Sequence, residues 1–215
     1  MAQIFPEWVN KLPGRIALTL AVLIILVIAG IWYYGSPEYT DVGYAPVQPV
    51  PYSHKLHVGE LGLDCRYCHT EVEISPVAMV PPTQTCMNCH AMIKTESPQL
   101  APIRASWEEE TPMRWIRIHK VPDFAYFDHS AHLRVGVGCE SCHGNVAEME
   151  VLYLDQPLSM GWCLDCHRNP DPHLRPPEEI TTMGWTPPAD QPERAAVIKA
   201  RFDINPPETC SGCHR

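Results

Sequence analysis

Residues 50–69 read VPYSHKLHVGELGLDCRYCH. The stretch ends in Cys-x-x-Cys-His and carries two further histidines just upstream, His54 and His57, spaced as His-x-x-His. Cys-x-x-Cys-His is the attachment motif of c-type haem, because its cysteines bind the vinyl groups and its histidine reaches the iron. The stretch therefore indicates a covalent haem site with additional imidazoles close by.

This motif accounts for every cysteine of the chain, since all ten fall in five copies. In chain order, motif 1 is Cys65, Cys68 and His69; motif 2 is Cys86, Cys89 and His90; motif 3 is Cys139, Cys142 and His143; motif 4 is Cys163, Cys166 and His167; motif 5 is Cys210, Cys213 and His214. Structural zinc, a redox-active cysteine pair or a disulfide framework would not require a histidine after each second cysteine. The sequence predicts five covalently bound haem c groups, attached by the ten cysteines, with the five motif histidines as iron ligands.

Composition agrees with a fold built around cofactors. The 215 residues include 23 prolines and only four phenylalanines, which is a poor composition for a conventional hydrophobic core. We expect a multihaem cytochrome c fold in which loops and mostly short helices, with little β structure, wrap around the porphyrins. The formal charge of −9, made more negative by haem propionates, argues against a nucleic-acid partner and favours a partner with a basic patch.

Six of the eleven histidines lie outside the motifs: His54, His57, His119, His129, His132 and His173. A haem that passes electrons without binding substrate is closed by a sixth ligand. In a helical His-x-x-His, the imidazoles lie on one face a turn apart, so they can serve two different haems.

Five distal ligands would close five irons. We assign His54 to motif 1 and His129 to motif 3, and expect His57 and His132 to cross to other haems. His119 is the fifth candidate.

Two other side chains remain alternatives as axial ligands. Met160 lies three residues before motif 4, and a thioether ligand would raise the potential of that haem. His173 lies in a proline-rich loop, where a histidine is commonly exposed to solvent.

An apolar segment near the N-terminus predicts a membrane helix. Residues 16–34 carry no charge and are long enough to span the hydrocarbon core. Lys11 and Arg15 precede the segment and acidic residues follow it, so the positive-inside rule places the haem domain on the outer side. A cleaved signal peptide would share the basic start, but its apolar core is usually shorter.

The predicted organisation is that of a single-pass protein of the bacterial cytoplasmic membrane. It comprises a cytoplasmic N-terminus (1–15), a transmembrane helix (16–34), a proline-rich tether (35–51) and a periplasmic pentahaem domain (52–215) with repeat units 52–90 and 127–167 and a fifth haem site at 210–214. Each repeat unit contains an aromatic residue, His-x-x-His and two attachment motifs.

Five stretches carry a resemblance to a known family: SHKLHVGELGLDCRYCH, PPTQTCMNCH, HKVPDFAYFDHSAHLRVGVGCESCHG, LSMGWCLDCHRNP and CSGCHR. Together they resemble the pentahaem cytochrome c subunit (ActA) of bacterial alternative complex III, a class III-like multihaem cytochrome. The likeness covers most of residues 50–215.

The resemblance implies an electron-transfer subunit of a respiratory or photosynthetic quinol:electron-acceptor oxidoreductase. In that family, the partners are an iron–sulfur subunit, polytopic membrane subunits and a monohaem cytochrome. A periplasmic cytochrome c, a blue-copper protein or an oxidase accepts the electrons. The quinol site would belong to other subunits, so no catalytic residue is expected in this chain.

Two alternatives remain open. A multihaem reductase would need an open iron coordination site, whereas all five motifs end in histidine and the spare histidines match the irons. An autonomous quinol dehydrogenase with a single anchor would need a haem close to the bilayer, which the proline-rich tether disfavours.

Overall fold

The computed structural model describes residues 4–214. Residues 1–3 of the predicted cytoplasmic N-terminus and residue 215 of the predicted haem domain lie outside the described residues. The chain forms two compact units, Met1–Asp41 and Val42–Arg215. Each is described by itself.

The first unit is dominated by one apolar helix. A 3-10 turn, Glu7–Lys11, leads into α1, Leu12–Tyr34, which ends at Gly35 and is followed by the short α2, Pro37–Thr40. With 23 residues and ~1.5 Å of rise per residue, α1 is about 35 Å long, enough for a hydrocarbon core of ~30 Å. An 18-residue window within Glu7–Tyr34 has a mean hydropathy of 2.7, which makes this segment a candidate membrane span, and a signal sequence meets the same criterion.

The second unit consists of short helices joined by loops. Its α-helices are α3 (Cys65–Cys68), α4 (Thr83–His90), α5 (Ala101–Glu108), α6 (His129–Arg134), α7 (Glu140–His143), α8 (Met160–Arg168), α9 (Gln191–Phe202) and α10 (Cys210–Cys213). Single turns of 3-10 helix lie at Pro98–Leu100, Val146–Glu148, Asp171–His173 and Pro177–Glu179, and a π-helical turn lies at Lys55–Glu60. Residues 42–214 contain no β-strand, only the isolated bridges Ala125 to His214 and Val137 to Leu174. The predicted architecture of short helices with little β structure is confirmed.

The hydrophobic core of this unit is small. Its buried members are Val137, Leu174, Ala195 and Ile198, with Val135, Phe202 and Ile204 packed against them. The amphipathic helix α9 supplies the inner wall of this cluster. Attachment motifs 1 and 3 line a cavity next to this cluster, with Val137 belonging to both.

Gly136 joins the core to the motif 3 segment. Its φ of +92° favours glycine, and a Cβ there would overlap the Arg175 carbonyl. The Arg175 N–H donates to the Gly136 carbonyl at 2.9 Å. This close backbone contact fixes the strand-like segment that enters motif 3.

Candidate haem-binding centres

Each attachment motif forms one helical turn. Motifs 1, 3 and 5 lie on α3, α7 and α10, and motifs 2 and 4 lie at the ends of α4 and α8. The N–H of His69, His143 and His214 donates to the carbonyl of the first motif cysteine at 2.9, 3.0 and 2.8 Å. This turn brings both cysteines and the histidine to one side of the backbone, as bonding to one porphyrin requires. The ten cysteines form no disulfide with one another.

Three spare histidines lie opposite motif histidines at a characteristic spacing. The ring centroids are 6.3 Å apart for His57 and His90, 6.1 Å for His132 and His167, and 6.4 Å for His129 and His143. Two metal–nitrogen bonds of ~2 Å and two ring radii of ~1.1 Å put trans imidazoles about 6.2 Å apart. These three pairs therefore have room for one iron between them.

The two His-x-x-His elements share one local geometry. Tyr52 is edge-on to His54 at 4.8 Å and stacks on His57 at 4.4 Å, while Phe127 is edge-on to His129 at 4.7 Å and stacks on His132 at 4.8 Å. The aromatic ring thus fixes the orientation of both imidazoles. In each repeat unit, the second histidine of His-x-x-His faces the second attachment motif, so that His57 faces motif 2 and His132 faces motif 4.

Hydrogen bonds at Nδ1 leave Nε2 of several imidazoles available for a metal. The Nδ1 partners are carbonyl oxygens: Ser53 for His57 (2.8 Å), Met79 for His69 (2.7 Å), Ile93 for His90 (3.1 Å), Pro76 for His129 (2.8 Å), Asp128 for His132 (2.7 Å) and Pro207 for His167 (2.7 Å). A carbonyl only accepts, so Nδ1 must carry the proton and Nε2 the lone pair. This arrangement is usual for metal-ligating histidine, and it fits haem iron here.

Motifs 1 and 3 face a common cavity, which we call the central cavity. It contains about 1210 Å³ of space, part of it open to solvent, and is also lined by His54, His119, His129 and His132. Burial lowers the pKa of His143 to about 3 and the pKa values of His54 and His119 to about 4. The imidazoles are therefore neutral at physiological pH, as metal binding requires.

His54 is the distal ligand expected for motif 1. It shares the central cavity with His69, whose charge contributes to lowering the pKa of His54 after the larger effect of burial. Its Nδ1 is buried without a hydrogen-bond partner.

His119, the fifth candidate, also lies in the central cavity. Its ring centroid is 4.3 Å from that of His143, with the planes at 69°. This spacing is too short for ligands on opposite sides of one iron, so His119 lies beside His143. The Nε2 of His119 is buried and has no hydrogen-bond partner. In motif 5, the ring of His214 packs against Phe124, with the ring centroids 5.7 Å apart.

The alternative axial ligands lie elsewhere. Met160 begins α8 and is 65% exposed. His173 is half-buried in the 3-10 turn Asp171–His173, and burial, together with the Arg175 charge, lowers its pKa.

Contacts between the motifs define an order that differs from the chain order. Asn88 of motif 2 donates to the Tyr67 hydroxyl of motif 1 at 3.1 Å. Cys65 of motif 1 lies close to Cys139 of motif 3, and Cys142 of motif 3 lies within electrostatic reach of Cys163 and Cys166 of motif 4. His167 Nδ1 of motif 4 donates to the Pro207 carbonyl just before motif 5. The spatial order is therefore 2, 1, 3, 4, 5. The exposed cysteines, Cys89 and Cys210, belong to the two terminal motifs.

One residue near motif 3 was not expected from the sequence. Arg175 is 2% exposed and packs against Gly138, where a Cβ would overlap its guanidinium. The glycines of the stretch GVGC were a usable signal, because glycine often marks a close approach of another part of the chain.

Comparison with known proteins agrees with this geometry. Residues 125–215, which include motifs 3 to 5, match the family described as cytochrome c7 and related cytochrome c. The multihaem cytochrome c subunit of a menaquinone reductase from Nitratidesulfovibrio vulgaris (strain Hildenborough) is 27% identical over 168 residues, covering 68% of this chain and 78% of that subunit. The matched family consists of c-type cytochromes, in which haem is bound covalently.

Proposed function

We propose that this chain is a membrane-anchored pentahaem cytochrome c subunit that carries electrons in a quinol-linked oxidoreductase. Haem c supplies a reversible one-electron iron couple. The protein supplies attachment, axial ligands and the order in which the sites follow one another. No catalytic residue is assigned to this chain.

The observation that carries the proposal is the continuous order of motifs 2, 1, 3, 4 and 5. Each motif lies near the next one in this order, and the exposed cysteines are at the two ends. Such a series suits electron entry at one end and exit at the other. Motif 2 and motif 5 are the proposed terminal sites.

Histidine pairs support electron transfer over substrate chemistry. Three pairs have the spacing of trans ligands on one iron: His57 with His90, His132 with His167, and His129 with His143. An iron closed on both faces leaves no position for a substrate. We assign the iron at motif 1 to His69 and His54, with His119 as the competing ligand from the same cavity.

A quinol-linked complex is the proposed setting. The relative is, by its name, a subunit of a menaquinone reductase, and α1 offers a membrane anchor. We extend this to an assembly of the alternative complex III type, with an iron–sulfur subunit, polytopic membrane subunits and a monohaem cytochrome. The haem domain would lie on the periplasmic side, and a periplasmic cytochrome c or blue-copper protein would accept the electrons.

The relative's name also favours a second candidate, in which electrons flow in the opposite direction. The same series of sites would then take electrons from a soluble donor and deliver them to a quinone-reducing partner. Both candidates use the same residues of this chain. They differ in the partner that reduces the first haem.

Haem number and topology are tested first. Intact mass of the denatured, mature chain should correspond to five haems, because each motif supplies two thioether positions. Protease added to spheroplasts should remove the haem domain and leave α1 in the membrane. Four or fewer haems, or complete protection of the domain, would contradict the proposal.

The electron-transfer role is tested with the chain in its assembly. Tagged chain purified in mild detergent should bring membrane subunits with it, and the assembly in liposomes should show inhibitor-sensitive haem reduction by quinol. The chain alone should show none, since one apolar helix provides no enclosed quinone site. Reduction only by a soluble donor, followed by quinone reduction, would select the second candidate; rapid quinol-driven reduction of the lone chain would overturn the subunit role.

A further inference from the structure

Arg175 is held against the backbone that enters motif 3. Its N–H donates to the Gly136 carbonyl, and the neighbouring Leu174 forms the bridge to Val137. The absence of a Cβ at Gly138 lets the guanidinium lie directly over the peptide preceding Cys139. The sequence thus brings a cation into direct contact with a haem-attachment segment.

The guanidinium has neutral partners. Its Nη1 donates to the carbonyls of Thr182 at 2.8 Å and Glu179 at 3.4 Å, and Cζ lies 4.5 Å from the Trp185 ring centroid. Its Nε is buried without a hydrogen-bond partner. Among residues 4–214, none of the ion pairs within 4.0 Å includes Arg175. An unpaired buried charge is costly, which makes this side chain unusual.

Two carboxylates lie within electrostatic reach but are engaged elsewhere. Glu140 accepts from the N–H groups of Gly184 and Trp185, both at 3.1 Å, and Glu179 accepts from the Trp185 indole at 3.1 Å. Burial lowers the pKa of Arg175, but arginine stays protonated in proteins. A fixed positive charge therefore remains beside motif 3.

That charge also lies close to motif 1. Cys139 lies within electrostatic reach of Arg175 and close to Cys65 of motif 1. In the spatial order of motifs, the cation is consequently located near the junction between the second and third sites.

We propose that Arg175 sets the redox potential at this junction, raising the midpoint potential of the haem at motif 3 and, to a smaller extent, of the haem at motif 1. Reduction adds one electron to the iron centre, which lowers its net charge by one unit. A nearby fixed cation stabilises the reduced form, and more strongly inside the protein than in water. The proposal rests on the haem attachment proposed above.

The test is a spectroelectrochemical titration of the full-length, haem-loaded chain in detergent, with haem number checked by intact mass. Arg175→Met should shift the midpoint of at least one haem component to a more negative potential. Arg175→Lys keeps the charge and should remain close to wild type. Arg194→Met is the matched control, because it removes an exposed cation of α9 that pairs with Asp190 at 3.0 Å, and should leave the potentials unchanged.

Glu140→Gln provides an independent arm with the opposite sign. Removing an anion near Arg175 should shift the midpoint potential of the same haem component to a more positive value. This variant provides the test if Arg175→Met fails to mature. Unchanged potentials in haem-complete Arg175→Met, equal shifts in the Lys and Met variants, or a negative shift in Glu140→Gln would overturn the assignment. A wild-type chain without haem on the motif 3 peptide would instead contradict the proposed attachment.

Discussion

Replacing His132 by alanine should convert one haem of the five to the high-spin state. The ring centroids of His132 and His167 are 6.1 Å apart, close to the ~6.2 Å expected for imidazoles on opposite sides of one metal. His132→Ala removes the distal nitrogen and leaves His167 and both cysteines of motif 4 in place. The expected loss is thus the low-spin signal of one haem, with no loss of haem.

The assay is electron paramagnetic resonance of the oxidised protein, normalised to haem content measured by intact mass. Phe127→Leu is the matched control, because it removes the ring stacked on His132 at 4.8 Å but no ligand, and should stay low-spin. His57→Ala, at the equivalent repeat position, should give a change of the same size at motif 2. The double variant should therefore lose the low-spin signal of two haems.

Two results would refute this reasoning. If His132→Ala remains entirely low-spin with five haems attached, His132 is not the ligand at motif 4. If Phe127→Leu gives an equal high-spin fraction, the effect of His132 comes from packing of the loop and not from coordination.

Three further predictions concern stability and docking. Gly136→Ala should lower the free energy of unfolding by about 1–3 kcal/mol in thermal or denaturant unfolding, because the φ of Gly136 is +92° and a Cβ there would overlap the Arg175 carbonyl. Gly161→Ala is the control and should cost nothing, because the space at Gly161 is open. Equal stability of the two variants would contradict this prediction. Asp64 caps α3, and the hydrogen bond from Arg66 lowers the pKa of the Asp64 carboxyl from 3.8 to about 2. The ionised carboxylate therefore stabilises the folded state fully above pH 3.8, and this stabilisation is lost as the pH falls through about 2. Asp64→Ala should therefore lower the free energy of unfolding by about 1 kcal/mol near neutral pH, and Asp64→Asn should lower it by less. The difference in stability between each variant and the wild type should vanish in acid, and a difference that does not depend on pH would exclude the charged cap. The rate of electron exchange with a basic soluble partner should fall as ionic strength rises, since the chain carries a formal charge of −9, and a rate insensitive to salt in stopped-flow measurements would argue against electrostatic docking.

Local sequence patterns predicted the short-range features of the fold. Cys-x-x-Cys-His specifies one helical turn, and His-x-x-His specifies two imidazoles a turn apart, so both could be expected from spacing alone. The crossing of His57 towards motif 2 and of His132 towards motif 4 follows the repeat, although the target motifs were left open. The helix α1 begins four residues before the predicted apolar segment, because Leu12 to Arg15 continue its backbone hydrogen bonding.

Long-range features could not be obtained in this way. The contact between Cys65 and Cys139, which puts motif 1 next to motif 3, joins two repeat units and depends on their packing. The position of His119 beside His143 depends on the same packing, because residues 91–126, which connect the two repeat units, have no periodic pattern that would fix it. Arg175 is ordinary in sequence, and only its fit over Gly138 distinguishes it.

The small apolar core and the buried imidazoles together imply that haem attachment and folding are coupled. The cluster around Ala195 and Ile198 is small, and the central cavity is lined by cysteines and histidines together with apolar side chains. Burying an imidazole nitrogen without a partner, as at His119 Nε2, costs roughly 1–3 kcal/mol, and bonding to a metal would remove that cost. An iron bound by both His132 and His167 would also join two segments distant in sequence. Haem binding is therefore expected to stabilise the folded domain.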